Sequence, residues 1–89
     1  MNITANGNYT LTPKNHRFSS GTVYVSGDLG AATVVLNVLN NGELTPLTSG
    51  TLEIDEQYQV NHGKIAEIVA VITDSDGSTD FVLSYNGHD

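Results

Sequence analysis

Three histidines and ten carboxylates, with no cysteine, are the side chains of this sequence whose chemistry merits first inspection. His16, His62 and His88 lie far apart, and none has a second ligand two or four residues away, the spacing that puts two donors on one side of a strand or helix. Each sits in or beside a turn and reads as a solvated residue. Asp74, Asp76 and Asp80, with Gly77, spell D-x-D-G followed by another acid. That is how a calcium loop opens, with alternate carboxylates and a glycine turn wrapped around a hard cation. The third and the bidentate acidic positions of a helix-flanked calcium loop are missing, so a plain β-turn with solvated acids accounts for the same residues. These aspartates are the candidate metal ligands, and weak ones. Asp55 and Glu56, with Glu53, resemble a glycosidase carboxylate pair only in composition. Such pairs face each other across a cleft, whereas neighbours on a strand point to opposite faces. No G-x-S-x-G elbow and no glycine-rich phosphate loop occurs. The expectation is no catalytic residue, no cofactor and no enzymatic activity; a small hydrolase is the disfavoured third reading.

Charge and length narrow the class further. A chain of 89 residues makes one domain, residues 1–89, within which 1–20 could form an extended N-terminal arm. A domain this size buries roughly 60% of its unfolded surface, so its core is thin, and without cysteine no disulfide supports it. The net charge is −7, with Lys14, Arg17 and Lys64 the only cations. Three scattered cations cannot neutralise a run of phosphates, so neither nucleic acid nor an anionic membrane is an expected partner. No stretch approaches the roughly 20 apolar residues of a membrane helix. The opening MNITANGNYTL lacks the basic start and apolar run of an export signal, so synthesis in a cytoplasm without export is expected.

The pattern throughout is β. Ala32, Val34, Leu36 and Val38 alternate onto one face of the run 31–39, and Ala66, Ile68, Ala70 and Ile72 do the same in 65–73. These are the predicted central strands and core. Around them, strands are expected at about 8–12, 22–26, 43–47, 51–54, 58–60 and 79–85, with Pro46 demoting 43–47 to an edge and 86–89 a frayed tail. Turn residues Gly27, Asp28 and Gly30 suggest a hairpin from 22–26 into 31–39; Asn40, Asn41 and Gly42 mark the next turn. Phe18 reads as an anchor for the loop before 19–21. The fold predicted is an all-β, small antiparallel β-sandwich of about seven to eight short strands, for which a jelly roll is one arrangement.

The faces opposite that core are less charged than solvated faces should be. Residues 31–39 present Ala31, Thr33, Val35, Asn37 and Leu39; residues 65–73 present Ile65, Glu67, Val69, Val71 and Thr73. β-Propensity alone favours Val and Thr even where exposed. The other reading is that Val35, Leu39, Val69 and Val71 form an oligomer interface.

A family resemblance adds to this. GDLGAATVVLNV, residues 27–38, resembles the G-T-F-G-G-A-T-V-T-L-Q signature of small virion proteins encoded by tailed phages. The preceding TVYVSG, residues 22–27, is similar to that family's T-V-x-V-S-G strand, and TDSDGSTDFVLS, residues 73–84, to its Gly-Ser-Thr turn and last strand; the N-terminal T-A-N-G, residues 4–7, is similar too. The likeness covers residues 20–85. Leu29, Gly30 and Ala31 replace the usual Phe-Gly-Gly, Val35 replaces a threonine, and the D-G-x-x-W segment is absent, there being no tryptophan. The resemblance implies a non-enzymatic structural component of a phage virion, made in the host cytoplasm. The leading expectation is a capsid decoration or cement protein, homo-oligomeric and trimeric, with capsid or tail proteins as partners. The alternative is a receptor- or glycan-binding module of a fibre or tail. Co-purification with tail-free capsids would favour the first, retention on host cells or glycans the second.

Overall fold

A computed structural model describes residues 1–13, 19–47, 52–61 and 66–88. They form eight strands: β1 (Asn2–Ile3), β2 (Gly7–Thr10), β3 (Ser20–Asp28), β4 (Thr33–Asn40), β5 (Glu43–Pro46), β6 (Gln57–Asn61), β7 (Glu67–Thr73) and β8 (Asp80–His88). One sheet has the order β1-β8-β3-β6 and the other β2-β7-β4-β5, all pairs antiparallel. The pairs β1–β8, β2–β7, β3–β6 and β4–β5 nest inside one another, as in one long hairpin rolled up on itself. That is jelly-roll order, within the small β-sandwich the sequence predicts.

The two apolar runs are side by side at the centre of the second sheet, Val34 opposite Ile72 and Leu36 opposite Ala70. Their inner face packs against Val23, Val25, Phe81 and Leu83 of the first sheet and Ile3 of its edge. Seven of the eight predicted core residues are buried; Val38 is only half-buried. Val38 pairs on one side with Thr45 of β5, an edge strand exposed along its whole length, so its cover is incomplete.

Several elements differ from expectation, for physical reasons. The hairpin expected between 22–26 and 31–39 does not form. β3 ends in the first sheet at Asp28 and β4 starts in the second at Thr33, so residues 29–32 are a crossover. Residues 52–54 are not a strand either. Leu52 N–H donates to Val34 O (2.8 Å) on one sheet, and Asp55 N–H donates to Val25 O (2.7 Å) on the other. The segment bridges the sandwich, turning at Asp55 with φ 61°. The expected polar tail is ordered as the end of β8, because Gly87 and His88 pair with Gly21 and Ser20. The first ten residues supply an edge strand to each sheet. The turn expected at Asn40, Asn41 and Gly42 does form, and it joins β4 and β5 as a two-residue hairpin with Asn41 and Gly42 both at positive φ (54° and 81°), the twist-compatible geometry. Phe18 lies outside the described residues.

Thr12 is a small local conflict. It is 5% exposed, and its hydroxyl has no hydrogen-bond partner among the described residues. An unsatisfied buried hydroxyl costs about 1–3 kcal/mol, and valine has nearly the same shape. Thr12→Val should therefore raise the unfolding free energy by about 1 kcal/mol, read as a higher urea midpoint at unchanged slope.

Candidate functional site

The acidic turn between β7 and β8 is a structural cap. Asp76 accepts hydrogen bonds from the Ser78 hydroxyl (2.7 Å), Ser78 N–H (2.9 Å) and, across the crossover, Ala31 N–H (3.2 Å). Thr79 joins the network: its hydroxyl accepts from Asp76 N–H (3.0 Å) and donates to Leu29 O (3.0 Å). The 29–32 crossover is thereby tied to the 74–79 crossover. Asp74 and Asp80 take no part in these bonds. Asp80 is opposite Asp28 on β3. Among the described residues no three acids or histidines stand together as metal ligands.

The hydrogen bonds to Asp76, that from the Ser78 hydroxyl foremost, hold its pKa below the ordinary carboxylate value, against an opposing effect of burial. A depressed folded-state pKa contributes stability that is present above the unfolded value and lost as pH falls through the folded one. Asp76→Asn should thus melt below wild type at neutral pH. The gap should close as pH is lowered from about 5 towards 1, and melting curves across that range check it. A gap constant with pH would mean that the charge on Asp76 contributes nothing.

Among the described residues the remaining chemical candidates do not converge. His88 is exposed, with Nδ1 2.9 Å from Ser20 Oγ and Nε2 3.3 Å from Thr22 Oγ1, so its ring is laid along β3. His16 and His62 are outside the described residues. Glu53 and Glu56 are exposed, and Asp55 accepts a hydrogen bond from Tyr24 Oη (3.1 Å), which raises the Tyr24 pKa.

What the fold does build is two broad outer faces of opposite character. On the second sheet Val35 is directly opposite Val71, Asn37 opposite Val69 and Leu39 opposite Glu67. Leu44 of β5, 42% exposed, extends the patch beside Leu39. The four residues singled out from sequence are thus contiguous. They are not equally available: Val69 is buried at 4% exposure, while Val35, Leu39 and Val71 are half-buried. Asn37, also buried, turns its amide back to donate to Val35 O (3.2 Å). Thr33 and Thr73 hydrogen-bond through their hydroxyls at the far end of the face.

On the first sheet the outer face is polar and uncharged along most of its length. An open groove of about 590 Å³ lies across three strands, lined by Thr22 and Tyr24 of β3, Gln57 of β6, and Ser84 and Asn86 of β8. Tyr24 is at its centre, opposite both Ser84 and Gln57. Sequence reasoning did not single this surface out. Its signal was there as hydroxyl and amide residues at every second position of three separate stretches, meaningful only once those stretches are neighbours. Compared with known proteins, the chain matches no family, no curated sequence and no solved structure.

Proposed function

We propose that this chain is a non-enzymatic structural component of a virus particle, a capsid decoration or cement protein that binds by surface complementarity and associates with copies of itself through the outer face of its second sheet. The observation that carries the reading is the sparsely charged outer face of β4 and β7, where Val35 stands opposite Val71 and, beyond the buried Asn37–Val69 pair, Leu39 stands beside Leu44, with Glu67 the one charge among them. The strand order supports it by analogy, since jelly rolls are a common architecture of capsid and lectin domains. A trimer is the order the family resemblance implies; closed symmetry by itself would favour a dimer.

Two measurements test the reading. Sedimentation should show an oligomer at micromolar concentration, and a monomer there would end the assembly claim. Capsids purified free of tails should retain the protein. Its loss together with the tails would place it on a fibre or tail instead.

A further inference from the structure

The groove on the first sheet is an open site of small-molecule size. Its lining is uncharged in a chain of net charge −7. An anionic ligand would meet the chain's net negative charge, and among the described residues neither a cation nor a carboxylate lines the groove to hold an anion or a metal ion. A ligand suited to this surface is neutral and rich in groups that both donate and accept hydrogen bonds. We propose that the groove binds a neutral saccharide, laid flat on the sheet with Tyr24 at its centre.

Three features support this. Asparagine, glutamine and serine side chains each donate and accept, as sugar hydroxyls do. Gln57, Ser84 and Asn86 use none of this capacity within the described structure, so it is open to a ligand. Second, Tyr24 donates its phenol proton to Asp55 Oδ1 (3.1 Å), which anchors the ring by its tip. The ring is half-buried, and its apolar body can meet the C–H face of a pyranose while neighbours meet the hydroxyl edge. Third, the groups stand on paired strands. Their spacing is about 5 Å across strands and about 7 Å along them, a fixed grid on which one ring can reach several partners. The volume of about 590 Å³ is within the range of small-molecule sites.

This inference does not depend on assembly through the second sheet, which is the opposite side of the sandwich. If both hold, an oligomer presents several grooves outward, and weak single sites gain avidity. A single open groove should bind a disaccharide with millimolar affinity, since little of the ligand is enclosed.

The test is a chemical-shift titration of the isotope-labelled full chain with lactose, maltose, cellobiose and N,N′-diacetylchitobiose, and with a heparin disaccharide as the anionic probe. At least one neutral sugar should give saturable shifts centred on residues 22, 24, 57, 84 and 86. Gln57→Ala with Asn86→Ala should weaken that binding about tenfold or more, two hydrogen bonds being removed, with the rest of the spectrum unmoved. Tyr24→Ala should abolish it. The proposal is overturned if no neutral sugar saturates, if the shifts lie elsewhere or survive the double substitution, or if only the heparin disaccharide binds.

Discussion

Gly27→Ala should lower the unfolding free energy by about 3 kcal/mol, a large share of the roughly 5–10 kcal/mol available to a domain this size. Gly27 is inside β3, opposite Phe81, at φ 109°, a conformation that side chains with a β-carbon rarely adopt. An added β-carbon would also fall 2.8 Å from Asp80 O and 2.9 Å from Phe81 Cα. Both are backbone atoms of β8, which cannot swing aside as a side-chain tip could. Strain at φ of about 1–3 kcal/mol and overpacking of similar size therefore act together. Phe81 is fully buried, so any shift of β8 is felt in the core. Two other glycines calibrate the result. Gly42 has positive φ but nothing within 4 Å, so alanine there should cost about 1 kcal/mol. Gly77 has neither constraint and should tolerate alanine at no loss. Urea unfolding of the three variants should rank them in that order. A loss at Gly27 no larger than at Gly77 would contradict the geometry of the β3–β8 ladder.

If the chain associates through its second sheet as proposed, Val35→Lys combined with Val71→Glu should yield monomers while leaving the monomer fold intact. The two positions are direct cross-strand partners on the outer face, so the new charges neutralise each other within one molecule. At an interface the same pair must lose its water, which the apolar patch did not require. The half-buried Val35, Leu39 and Val71 with exposed Leu44 can contribute about 3–5 kcal/mol of gross burial per protomer. Replacing Val35 and Val71, about half of that burial, should therefore weaken association by about tenfold or more. Sedimentation reads the assembly, and far-UV circular dichroism with a melting curve reads the fold. An aspartate at Val69 would be a poor probe. Val69 is 4% exposed within a single chain, so a charge there would disrupt the sandwich itself. Unchanged sedimentation of the Lys–Glu variant, with the fold retained, would remove this face from the assembly.

The aspartate turn shows how far local sequence carries. D-x-D-G was legible as a turn with acids, and it is one. Which acid matters was legible only in part: the foremost bonds to Asp76 come from Ser78, two residues on, but its link to Ala31 N–H spans 45 residues. The two faces divide in the same manner. Val35, Leu39, Val69 and Val71 could be grouped from sequence because they occupy two strongly patterned runs that share one period. Burial separates Val69 from the others, and burial depends on what lies over the sheet. The groove of Thr22, Tyr24, Gln57, Ser84 and Asn86 draws on three distant stretches, none unusual by itself.

By itself the sequence determined the local character of the chain. Alternation in 31–39 and 65–73 made strands with one apolar face, Pro46 kept β5 at an edge, and Asn41-Gly42 made the turn expected after 31–39, which closes β4 onto β5. These follow from side-chain period and φ preference, which act within a few residues. The tertiary structure alone decided partnership. β3 and β4, consecutive in the chain, went to different sheets, and β1, too short to carry a pattern, became an edge of β8 with Ile3 in the core. Those choices follow from closing two sheets over one thin core. Burial there is shared among strands far apart in sequence, and no local window contains the competing partners.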